Sequence, residues 1–168
     1  MTDNQIPRAG NVKIEGESAT LVFERLLPHP VERVWKAITS PNELSKWHMK
    51  AEIEGKVGGK VEFSSEAGRV SGGILSWDPP HVFEHEWIVS RPEFPKAEYG
   101  IIRWELLSRG DHTFLKLTHR NLPPQTAHYF APGAHALADR LEAYLDKTPL
   151  PDWSEQVEEL RVNYAHGF

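Results

Sequence analysis

The run SATLVFERLL, Ser18 to Leu27, interleaves branched and aromatic residues with polar ones and stops at Pro28 and Pro30, which predicts a β-strand. At Pro30 the period changes. Val31, Val34, Trp35 and Ile38 recur at i, i+3, i+4 and i+7, one face of a short helix that a proline can open. Ser40-Pro41 starts a second short helix, with Leu44 and Trp47 on one side of it.

After Trp47 the texture is that of strands separated by glycine and proline. Ala51 to Glu54 and Lys60 to Ser64 flank the glycine-rich Gly55 to Gly59 and predict a hairpin. Further strands run from Gly68 to Trp77 and from His81 to Val89, separated by Asp78-Pro79-Pro80, and a loop with Pro92 and Pro95 follows. Tyr99 to Leu107 and His112 to Arg120 form a second hairpin about a turn at Gly110-Asp111. Some seven closely spaced strands favour an antiparallel sheet.

Alternation tells which face is buried. Phe83, His85, Trp87 and Val89 share a face opposite Glu84 and Glu86. Ile102, Trp104 and Leu106 oppose Arg103 and Glu105, a pair expected to be cross-strand partners. Leu115, Leu117 and His119 oppose Lys116, Thr118 and Arg120. One face is apolar and aromatic, so something must cover it.

The cover is a long helix from about Ala127 to Lys147, with Phe130, Ala134, Leu137, Leu141 and Tyr144 or Leu145 as its apolar stripe and Ala138 alongside. Asp139, Arg140, Glu142 and Asp146 are expected to face water. Pro132-Gly133 predicts a kink or a delayed start. Pro149 and Pro151 end this helix, and Asp152 can cap a last one through about Val162. The fold class is α+β, a curved antiparallel sheet against a long C-terminal helix, with two short helices after the first strand. It comprises an N-terminal tail over residues 1–17, a domain over 18–149 and an appended helix over 150–168. The appended segment carries Trp153, Leu160 and Tyr164 to pack on the body or on a second subunit.

Composition narrows the chemistry. A chain of 168 residues without cysteine has no disulfide framework, thiolate metal site or cysteine nucleophile. Its length suits one domain that folds on its own core. A net charge of -5 gives no general draw toward phosphate backbones or anionic lipid, so nucleic acid and membrane are not expected partners. No apolar run reaches the roughly 20 residues of a membrane span. Met1 to Asn11 shows no signal-peptide core, and cytoplasmic location is the default.

Six Trp and nine His are the unusual counts. The histidines show no metal spacing: HExxH is absent, and His81 and His85 on one strand would be roughly 13 Å apart. His128 and His135 sit on the polar side of the long helix and are expected to be solvated. No GxSxG occurs, and Val57-Gly58-Gly59-Lys60 lacks the spacing of a phosphate loop. No metal or other cofactor and no catalytic residue are assigned.

Five stretches in order resemble a known family. The first, LLPHPVERVWKAITSPNELSKWH, places Pro30, Glu32, Val34-Trp35, Thr39, Pro41, Leu44 and Trp47 in its opening pattern. The others are Val57 to Phe63, Ile74 to Trp87, Thr113 to Pro123 and the helix Pro132 to Leu145. Over Ser18 to Lys147 the chain is similar to the activator-of-heat-shock-protein-90-ATPase homologues, within the SRPBCC or START-like superfamily. That resemblance implies the helix-grip fold, a curved sheet wrapping one long helix with a cavity between them. Two positions depart from the family pattern. Ala134 stands where a Trp is frequent, and His48 follows Trp47 where a second Trp is common. Loss of a large side chain on the covering helix enlarges a cavity unless another residue fills it.

The expected pocket for a small hydrophobic or aromatic molecule comprises Trp35, Phe63, Trp77, Phe83, His85, Trp87, Trp104, His119, Phe130, Ala134, Leu137 and Leu141. Taken singly, each aromatic is better explained by core packing, and the group is more informative than its members. His85 and His119 fall among apolar neighbours on the inner face, where an imidazole satisfied within the core is the plainer role, and His85 is the better placed for a polar contact. The resemblance also implies two alternatives: a co-chaperone-type module stimulating a chaperone ATPase in the stress response, or a cyclase or hydrolase using His85 or His119. Catalysis would call for a carboxylate beside one of these histidines, and Glu84 and Glu86 are expected to point away.

Overall fold

In the computed structural model, which describes residues 7–66, 68–90 and 98–164, strands and helices follow the change of residue period along the chain. The sheet begins with β1 (Asn11–Glu15) and β2 (Ser18–Leu27), followed by α1 (Val31–Thr39) and α2 (Pro41–Trp47). It continues with β3 (Lys50–Ile53), β4 (Lys60–Ser65), β5 (Gly68–Asp78), β6 (Val82–Ser90), β7 (Glu98–Arg109) and β8 (His112–Leu122). Two helices close the chain, α3 (Pro124–Asp146) and α4 (Trp153–Tyr164). The expected loop with Pro92 and Pro95 lies outside the described residues.

Among the described residues, eight strands form one open antiparallel sheet in the order β1-β2-β8-β7-β6-β5-β4-β3. Register breaks between Ala19 and Leu21 in β2, and between Ile74 and Ser76 in β5, bend the strands that carry them. The sheet curves around α3 as a helix-grip fold. Leu21, Phe23, Leu115, Leu117 and Leu141 are fully buried between the two layers. Each such aliphatic or aromatic side chain stabilises the fold by roughly 1.5–3 kcal/mol.

The edge strand β1 adds to the seven or so that the pattern predicts. NVKIE pairs with β2 from Asn11↔Val22 to Glu15↔Ser18, with four of its five residues exposed, and an exposed edge leaves no burial signal in the sequence. α3 begins at Pro124, ahead of the expected Ala127. A proline at the first helical position has its φ preset and lacks only an N–H that the helix would leave unpaired. Pro132 sits inside the helix rather than delaying it. Asp152 caps α4, its Oδ1 accepting the Glu155 N–H at 3.0 Å.

Polar positions depart most from expectation. Arg103 and Glu105 are not cross-strand partners: they pair at 3.3 Å along one strand, β7. The cross-strand partner is Glu84 on β6, in register with Arg103, 3.3 Å from it and 2.6 Å from Arg120. Glu84 is on the outer face yet buried beneath these guanidiniums. Burial pushes its carboxyl up, but Arg120 and Arg103 outweigh that and hold it below the usual range.

The outer side of α3 is likewise not open to water. His135 is buried, and its Nδ1 lies 2.8 Å from the Tyr164 hydroxyl. Asp139 receives Arg25 at 3.1 Å, Arg8 at 2.6 Å and the Gln156 amide at 2.8 Å. Arg140 donates to the carbonyls of Trp47 and Pro151. The covering pieces are the N-terminal segment and α4, which the helix pattern of α3 alone could not announce. Glu142 pairs with Arg8 at 2.8 Å, and Asp146, the exposed one, pairs with His29 at 2.7 Å.

Candidate functional site

Side chains on the concave face of the sheet and the facing side of α3 enclose a cavity of about 370 Å³. β4 supplies Phe63, β6 supplies Phe83, His85 and Trp87, β7 supplies Trp104 and β8 supplies His119. Phe130, Ala134 and Leu137 form the α3 wall. These side chains meet because inner-face positions two apart on each strand fall beside their partners, as Phe83↔Trp104 and His85↔Ile102 do. The methyl group of Ala134, where a larger residue could stand, leaves part of the volume open.

Three residues of the expected set lie elsewhere. Trp35 and Trp77 meet edge to face at 5.1 Å, and both also contact the ring of Phe83, at 6.4 and 5.3 Å, so they buttress a cavity wall from behind. Leu141 is one turn beyond Leu137 and is sealed in the main core. Conversely, the cavity includes His48 and Met49, just after α2, and Tyr129 at the start of α3. It also includes Trp153, Val157 and Arg161 from α4. The last three recur at i, i+4 and i+8, a helix face that was present in the sequence as a signal. His48 had its own signal too, as an imidazole where a second indole is common.

Rings dominate the walls. His85 lies 4.9 Å from Phe83, 5.7 Å from Phe63 and 6.0 Å from Trp87, centroid to centroid. His48 stacks on Trp87 at 6.2 Å, and His119 meets Phe130 at 5.6 Å. Burial disfavours the charged imidazole in all three. It brings His85 down to about 4, despite the opposing pull of the Glu86 carbonyl and the Glu84 charge. It brings His48 down to about 3, with His85 and Arg140 adding to the effect, and His119 also to about 3, with His85 adding. At neutral pH all three are uncharged. The ring of His119 fits because β7 has Gly100 beneath it: a Cβ there would lie 2.5 Å from His119 Nε2.

Among the described residues no acid is hydrogen-bonded to these rings. Glu62 pairs with Arg69 at 2.9 Å, Glu84 with Arg103 and Arg120, and Glu86 accepts the Gly73 N–H at 3.0 Å and the Tyr99 hydroxyl at 3.2 Å. Among the described residues no group of three or more His, Asp or Glu is placed to hold a metal ion. Among them, too, no helix is long and apolar enough to cross a membrane.

Solved structures share this architecture. The chain is similar to CalU16 from Micromonospora echinospora, at 22% identity and a TM-score of 0.71 over 94% of each chain. It is similar to the protein encoded by gene BPP1335 from Bordetella parapertussis, at 22% identity and a TM-score of 0.72 over 97% of this chain and 92% of that one. MLL2253 from Mesorhizobium loti is 24% identical, with a TM-score of 0.69 over 78% of this chain and 99% of that one. At such identities the likeness shows the fold. No curated protein matches the sequence. The family described as activator of Hsp90 ATPase homolog 1-like protein matches residues 28–146, from the end of β2 to the end of α3. The chain belongs to the activator of Hsp90 ATPase homolog 1-like family, as a START-like domain of the helix-grip fold.

Proposed function

We propose that this protein is a binding module that holds a small hydrophobic or aromatic molecule between its sheet and α3. One observation carries the reading: an aromatic-walled cavity of about 370 Å³ in the grip of the fold, within the roughly 300–1,000 Å³ usual for ligand sites. Its three histidines are neutral, so an apolar guest meets uncharged imidazoles among the rings, and Arg69 and Arg161 are the charged residues of the lining.

Native mass spectrometry of the protein purified from its own host tests this. A reproducible extra mass is expected on the wild-type chain. Ala134→Trp, which puts an indole into the cavity, is expected to remove that mass while leaving the thermal unfolding transition cooperative. A chain that is always empty, or a folded Ala134→Trp variant that still carries the same molecule, would sink the reading.

A further inference from the structure

The polar atoms of the cavity wall select among apolar guests. His85 Nδ1 is 2.8 Å from the carbonyl oxygen of Glu86. A carbonyl oxygen only accepts, so Nδ1 carries the proton and the bond fixes the tautomer. Nε2 is therefore left with a lone pair. His85 is 1% exposed, and it lines the cavity. Its neighbours there are the rings of Phe63, Phe83 and Trp87, and none of them donates a hydrogen bond to Nε2. His119 Nε2 has no hydrogen-bond partner either, but it is packed over Gly100 of β7 rather than open to the cavity, which leaves His85 Nε2 as the acceptor. Buried polar atoms normally find partners, so unpaired ones beside an open volume mark where a guest completes the bonding.

Resting on the reading of this cavity as a ligand site, we propose that it selects planar apolar molecules bearing an O–H or N–H donor, which His85 Nε2 receives. The rings supply stacking surface on either side. The Glu86 carbonyl makes the acceptor permanent, because a ring flip would forfeit the Nδ1 bond. A guest of the same shape without a donor leaves Nε2 desolvated and unpaired, and the penalty falls on its affinity.

The probes are 2-naphthol and 2-methoxynaphthalene, which share a ring system and differ in the donor. On the wild-type protein 2-naphthol is expected to bind about tenfold more tightly. In His85→Phe that preference is expected to shrink to about twofold or less. Nitrogen-15 spectra of the wild-type protein give a readout that needs no variant: the His85 Nε2 resonance should move on adding 2-naphthol and stay in place with the methyl ether. Equal binding of the two probes to wild type, or a preference that survives in His85→Phe, overturns the proposal while leaving the cavity a ligand site. If neither probe binds, this proposal falls, and native mass spectrometry decides separately whether the cavity holds any molecule at all.

Discussion

At the scale of single residues, the cavity histidines set how the fold responds to acid. Each is held neutral by burial, His85 at about 4 and His119 at about 3 against an ordinary 6.5. Between those values and 6.5 the unfolded chain binds protons that the native chain refuses, so stability falls as pH drops. At pH 5 the loss is about 2 kcal/mol for each of His85 and His119, and His48 acts in the same direction. The Asp139 carboxylate does not share this window. Burial pushes the Asp139 carboxyl up, but His135, Arg25 and Arg8 hold it near 2, so its contribution is present above the usual 3.8 and is lost only below that. Urea titrations at pH 7, 6 and 5 are expected to show stability falling steadily, with a shallower fall in the His85→Phe, His119→Leu double variant. A flat wild-type profile over that range would refute this account.

At the scale of elements, the close approach of β5 to β6 depends on a residue without a side chain. A Cβ on Gly72 would lie 2.2 Å from the carbonyl oxygen of Glu86 on β6, a backbone atom with nowhere to go. Gly72→Ala is expected to cost about 1–3 kcal/mol in chemical denaturation, by the strain of overpacking. An unchanged midpoint would show that β5 and β6 can part there at no cost.

The same scale explains what could be read from the residues alone. Two-residue alternation reported the inward face of β6, β7 and β8, and so brought Phe83, His85, Trp87, Trp104 and His119 to one wall. Alternation says which face, not how far along the strand. Trp77 therefore faces in but lies past the end of the cavity against Trp35, and Leu141 lies a turn too far along α3. Glu84 was legible as outward but not as buried, because its cover comes from Arg103 and Arg120 on other strands. The spacing of Trp153 and Val157 was legible, but the surface they cover was not. α4 is exposed along most of its length, so its weak apolar face did not declare which surface it covers.

At the scale of the whole molecule, one hydroxyl joins distant parts of the chain. Tyr164, at the end of α4, is fully buried. Its oxygen accepts the Gly10 N–H at 2.8 Å and meets His135 Nδ1 of α3 at the same distance. Tyr164→Phe would leave that buried N–H and ring nitrogen unpaired, at about 1–3 kcal/mol. Because α4 makes few other buried contacts, the variant is expected to speed amide hydrogen exchange in Trp153–Tyr164 more than in β6–β8. Uniform acceleration throughout the protein would show that α4 opens only with global unfolding.

The link from Gly10 to Tyr164 also has a mechanical meaning. The chain reaches the junction from both sides, through the edge strand β1 and through α4, so a pull on its two ends is borne there before it reaches β6, β7 or β8. β1 can peel from β2 bond by bond, and α4 can swing away on the proline-bearing connection between Asp146 and Trp153. Because α4 carries Trp153, Val157 and Arg161, the first yield under tension opens a side of the cavity while the sheet still stands. A tether at either end of this protein is in effect a handle on the cavity.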